Sequence, residues 1–267
     1  MSILILSDYI FPQINSVRFE TLSLQNGVSL NLTYALLQDS KGYIWFGTMY
    51  GLVKYDGKDY TIYRNDPMDS TSISFDDIIS LFEDSKGNIW AGTWGGGLNK
   101  FDPNTGKFTR FLYGGSSFKG LSDNIVWTIN EDNSGNIWIG TQRGGIDKYN
   151  SKTGQFIHYW NDKNSGKTLP SNMVTEIFKD NNGNIWIGTQ NGLAKYLPDS
   201  DSFLIFKNNL RPDKLKETNF IRSIYEQDEN KLLIGTNAGL FIFNKHSNKF
   251  SLFNFDSKDP LNYSPVF

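Results

Sequence analysis

Short apolar runs alternate with clusters of Asp, Asn, Gly and Ser along most of the chain. In one stretch the runs are Ile125-Val126-Trp127-Thr128-Ile129, Ile137-Trp138-Ile139-Gly140-Thr141, Gly145-Ile146-Asp147-Lys148-Tyr149 and Gln155-Phe156-Ile157-His158-Tyr159. Each is short, rich in β-branched and aromatic residues and fenced by turn formers, which predicts β-strands. No segment shows a sustained helical period. The second run recurs as Ile44-Trp45-Phe46-Gly47-Thr48, Ile89-Trp90-Ala91-Gly92-Thr93 and Ile185-Trp186-Ile187-Gly188-Thr189, with an eroded copy at Leu232-Leu233-Ile234-Gly235-Thr236. Its tryptophan position falls at 45, 90, 138, 186 and 233, in steps of 45, 48, 48 and 47 residues. A fixed period of this size marks a repeat architecture.

The separators fit that reading. Asp39 and Gly42, Asp84 and Gly87, Asp132 and Gly135, and Asp180 and Gly183 bracket the first turn of each unit. Asp bonds the backbone two residues on, and Gly supplies the positive φ of a tight hairpin. In the fifth unit Asn230 takes the Gly place, as the residue that next best tolerates this conformation. Asp102-Pro103-Asn104-Thr105-Gly106-Lys107 and Asn150-Ser151-Lys152-Thr153-Gly154-Gln155 separate the third strand from the fourth.

Four antiparallel strands per unit predict an all-β fold, a β-propeller of four-stranded blades. The blades run from about 31–63, 76–111, 124–159, 172–206 and 219–253, after a tail at 1–15. Packing sheet on sheet around an axis puts the repeated Trp between blades. The Gly of each Gly-Thr pair lets neighbouring sheets approach. Residues 17–22 read as an N-terminal outer strand, and 260–267 as the start of a further unit. Five complete blades with pieces at both ends imply an incomplete arc of a larger ring rather than a tight ring of five. An open arc exposes two apolar blade faces, which predicts self-association.

Composition narrows the function. Of 267 residues, 38% are hydrophobic and 20% charged, and the net charge is −2. These are globular values, and no basic cluster provides a nucleic-acid footprint. The absence of Cys removes disulfides, thiolate metal sites and Cys nucleophiles. Ile3-Leu4-Ile5-Leu6 is too short for the core of a signal peptide. Only His158 and His246 are imidazoles, both in or beside outermost strands, without metal-ligand spacing. No nucleophile or phosphate motif appears. The residues thus predict no catalytic group, metal or cofactor.

The run Asp-x-x-Gly-Asn-Ile-Trp-x-Gly-Thr-x-x-Gly-(Gly)-Leu-x-Lys-Tyr-Asp resembles the two-component regulator propeller repeat. It spans Asp84 to Asp102, Asp132 to Asn150 and Asp180 to Leu197, with a compact variant from Asp39 to Asp56. The stretch Phe19 to Ser29 is similar to that family's lead-in to a first blade. The resemblance implies an extracytoplasmic, periplasmic sensor, often of two seven-bladed propellers ahead of a membrane span and a histidine kinase, and frequently tied to polysaccharide use. Its partner would be a histidine kinase or response regulator, or the remainder of the same protein. A streptogramin-lyase-like propeller, which would need a catalytic His on the ligand face, and a protein-docking propeller remain the other readings.

Ligand contacts are expected where the copies stop agreeing, in the loops between second and third strands and between blades. Tyr50, Trp94, Gln142, Arg143, Trp160, Gln190, Asn191 and Asn237 are the candidates. Aromatic faces with amide and guanidinium donors suit a carbohydrate or another polar ligand. Asn31, Asp76, Asn124, Asn172 and Asn219 recur at the mouth of the innermost strands. They form an axial ring or else tie the inter-blade loops to backbone amides.

Overall fold

The computed structural model describes residues 32–115, 119–162 and 168–253. The expected outer strand at 17–22, the further unit at 260–267 and Asn31 lie outside the described residues. Among the described residues twenty strands form five antiparallel sheets of four. The first comprises β1 (Thr33–Gln38), β2 (Ile44–Thr48), β3 (Gly51–Tyr55) and β4 (Tyr60–Tyr63). The second holds β5 (Ile78–Glu83), β6 (Ile89–Thr93), β7 (Leu98–Asp102) and β8 (Lys107–Phe111). The third holds β9 (Val126–Glu131), β10 (Asn136–Thr141), β11 (Ile146–Asn150) and β12 (Gln155–Tyr159). The fourth holds β13 (Val174–Lys179), β14 (Ile185–Thr189), β15 (Gly192–Leu197) and β16 (Ser202–Phe206). The fifth holds β17 (Ile221–Asp228), β18 (Lys231–Thr236), β19 (Gly239–Asn244) and β20 (Lys249–Leu252).

The innermost strands β1, β5, β9, β13 and β17 pack side by side in chain order. Among the described residues β17 makes no comparable contact back to β1, so the five blades form an arc. At each seam the repeated Trp is the largest buried side chain: Trp45, Trp90, Trp138 and Trp186 are at most 1% exposed. Their indole N–H groups donate to Asp39, Asp84, Asp132 and Asp180 at 2.8–2.9 Å. The second oxygen of each Asp accepts backbone amides within the turn, at 2.9–3.0 Å from Tyr43, Asn88, Asn136 and Asn184. The turn residue and the core residue are therefore one hydrogen-bonded unit. At Asp132 burial pushes the carboxyl up, but the Asn136 and Trp138 bonds outweigh it and hold it below the usual range.

Close approach explains the glycine. A Cβ on Gly92 would stand 2.7 Å from Val126 of the next blade and 2.2 Å from Ser80 Oγ. On Gly235 of the last blade it would meet only its own Ser223. The open face there carries Tyr225, Leu233, Leu240 and Ile242, and Tyr225 is 65% exposed.

One local expectation needs correction. Asn230 is not in the left-handed region; β17 and β18 pair up to Asp228 and Lys231, and an irregularity between Glu226 and Asp228 reshapes this turn. A short 3-10 turn (Pro212–Lys214) and helix α1 (Leu215–Asn219) also fill the loop before the fifth blade. They are too brief to show a helical period.

Candidate functional site

The Thr of each Gly-Thr pair fixes the loop that follows it. Its hydroxyl donates to the carbonyl of Gly51, Gly97, Gly145, Gly192 or Gly239 at 2.8–3.0 Å. It also accepts an amide from within the loop, such as Gly96 N or Gly144 N. The loop's own side chains are left to vary. In the second and third blades the loop is one residue longer, and these longer loops carry Trp94 and Arg143.

A β-bulge opens every innermost strand. The register shifts at Tyr34, Ile79, Trp127, Thr175 and Arg222, which are the extra residues of the five blades. A bulge re-aims one side chain without disturbing the rest of the ladder. Here the re-aimed residue differs in every blade.

Two cavities lie beside these features. The first, about 410 Å³, is lined by Tyr34, Ile79 and Trp127 from three bulges, with Asp77 and Trp94. Trp94 and Trp127 meet edge to face, with centroids 5.1 Å apart. Asp77 Oδ1 and Trp127 Nε1 are buried without any hydrogen-bond partner, and burial pushes the Asp77 carboxyl up. The second, about 380 Å³, is lined by Tyr113, Gly115, Ser122, Arg143, Gly144, His158, Trp160 and Asn172. Beneath it Asp147, wholly buried, accepts Ser122 N at 2.8 Å and lies 2.6 Å from His158 Nδ1. Ser122 Oγ is buried and unpartnered.

The expected residues fall in different places. Trp94 enters the first cavity, and Arg143, Trp160 and Asn172 share the second. Tyr50, Gln142, Gln190, Asn191 and Asn237 line neither. Asn237 accepts Arg222 Nε at 2.7 Å, and Asn191 Nδ2 reaches Pro170 O. Of the recurring Asn/Asp positions, Asp76, Asn124, Asn172 and Asn219 each spend Oδ1 on a backbone amide, of Asn65, Tyr113, Asn161 and Asn208 at 2.5–2.8 Å. Those oxygens tie down the inter-blade loops. The variable positions lie three residues later, at the bulges, and that spacing is the signal that could have found them. Nothing in the strand pattern places His158 at a cavity, yet it lines the second one, whereas His246 sits at an exposed turn between β19 and β20.

The profile of the two-component regulator propeller matches residues 27–50, 72–95, 120–143 and 168–191. The chain carries four copies of the two-component regulator propeller repeat. Each match ends in the variable loop after the Gly-Thr pair, so the repeat covers the bulge, the seam Trp and the loop. The extracellular domain of a B. thetaiotaomicron protein described as a putative hybrid two component system is 27% identical, with a TM-score of 0.74 over 87% of this chain and 31% of that one. A histidine kinase of Formosa agariphila is 45% identical over 56 residues, which are 21% of this chain and 4% of the kinase. The chain thus spans under a third of the first relative and a small fraction of the second. A virginiamycin B lyase of Staphylococcus aureus shares the fold, at 14% identity and a TM-score of 0.65 over 89% of this chain and 74% of that one. Among the described residues no helix is long and apolar enough to cross a membrane.

Proposed function

We propose that this propeller is the non-catalytic ligand-sensing part of an extracytoplasmic two-component system, and that its second cavity binds a carbohydrate. The observation that carries the reading is the convergence of Arg143, Trp160 and Tyr113 around the unpartnered hydroxyl of Ser122. The rings offer stacking faces for a sugar; the guanidinium and hydroxyl offer donors to its oxygens. Asp147 holds the floor by fixing the Ser122 amide.

An enzyme reading would rest on His158 and Asp147. The second blade argues against it. There Asn99, in the place of Asp147, binds Ser74 N at 2.8 Å, and Arg110, in the place of His158, binds the same loop at Ser72 O. Both pairs serve as loop anchors. The kinase, or another part of the system, would receive the signal through assembly, for which the open face of the fifth blade offers apolar surface.

Isothermal titration of the full chain against soluble oligosaccharides tests the proposal. Binding should weaken by about tenfold or more in Arg143→Ala and Trp160→Ala. A panel without a binder, or binding unchanged in both variants, would refute it.

A further inference from the structure

The first cavity is chemically unlike the second. Its walls are two indoles, a phenol ring and Ile79, and its one charged group is Asp77. No Lys, Arg or His lines it. The Asp77 carboxylate makes no hydrogen bond or ion pair with any described residue, and its Oδ1 is sealed from solvent. Asp77 is half-buried, but a carboxylate oxygen sealed without a partner is costly, and a cation beside it reduces that cost. Aromatic faces set around such a carboxylate attract a cation through their quadrupoles, most strongly when water is excluded. The unpartnered Trp127 indole N–H asks for one acceptor as well.

We infer that the cavity formed by Tyr34, Trp94, Trp127 and Asp77 binds a small hydroxylated organic ammonium, of the choline type. The substituted ammonium lies among the rings and against Asp77. The hydroxyl oxygen accepts from Trp127 Nε1. A volume of about 410 Å³ is ample for such a molecule and falls in the range of small-molecule pockets. Three of the four contact residues depend on the bulges and the lengthened loop of the second blade, so the site is specific to the first three blades. It does not depend on the carbohydrate reading of the second cavity, whose residues it does not share.

The test is isothermal titration of the full chain with choline and with 3,3-dimethylbutan-1-ol, which has the same shape and hydroxyl but no charge. Choline should bind, and the neutral isostere at least ~10-fold more weakly. Asp77→Asn should reduce choline to the level of the isostere, with the thermal midpoint confirming the fold. If that variant does not fold, the exposed Tyr34→Ala should weaken choline by several-fold. No binding at millimolar choline, equal binding of the two probes, or choline binding indifferent to Asp77→Asn and Tyr34→Ala would each overturn the assignment.

Discussion

Tryptophan serves two regions of this molecule in opposite ways. At the seams Trp90, Trp138 and Trp186 are sealed, and each indole N–H is held by the Asp of its own turn. At the variable loops and bulges Trp94 and Trp160 are 42% and 44% exposed, and the indole N–H of Trp127 has no partner among the described residues. The seam residue repeats because each blade must meet the next in the same way. The face residue is free to differ because nothing behind it depends on its shape. Constant packing and variable side chains thereby occupy neighbouring positions of one repeat.

Damage should be greatest at a seam. Trp186→Ala should cost about 3–5 kcal/mol, since its ring packs against Phe206 and Phe243 at 6.0 and 5.5 Å. Leu233→Ala, at the same place on the open fifth blade, should cost well under half as much in urea unfolding.

Most of this seam was legible in the sequence. Period, turn Asp, Gly and Trp all follow from requirements that every blade shares. The face was legible only in part. Trp94, Trp160 and Arg143 stood out as departures from the repeat, but Trp127 was hidden inside a strand because nothing local announced the bulge. Asp77 was hidden beside the repeated Asp76, whose carboxylate is occupied by Asn65 N. The fifth turn misled because Leu233 stands where the other blades carry the seam Trp. With no indole N–H to hold, that blade needs no acceptor in its turn, and the turn shape is released with it.

A charge buried beside a seam gives the next effect. Burial pushes the Glu176 carboxyl up to about 7. Its unfolded form ionises near 4.5, so the unfolded chain loses its proton first. Stability should therefore fall as pH rises from about 4.5 to 7, by up to roughly 3 kcal/mol, and level off above that window. Glu176→Gln should flatten this dependence in denaturation measured across pH. Persistence of the slope in the variant would assign it to another group.

Glycine separates closed blades from the open one. Gly92→Ala should cost about 1–3 kcal/mol through overpacking against Val126. Gly235→Ala should cost less, because the nearest atom it meets is the Ser223 hydroxyl, which can turn away. Equal losses in the two variants would mean that the inter-blade approach is not what selects glycine. The smallest effect belongs to the face itself: Trp160→Ala should shift stability by no more than about 0.5 kcal/mol.

The division between seam and face is tested most directly by thermal unfolding of the wild type and of Arg143→Ala/Trp160→Ala, each with and without a saturating oligosaccharide found by titration. The two proteins should unfold at nearly the same temperature alone, and only the wild type should be raised by the sugar. A sugar-induced rise of equal size in the double variant would contradict the placement of recognition at the second cavity.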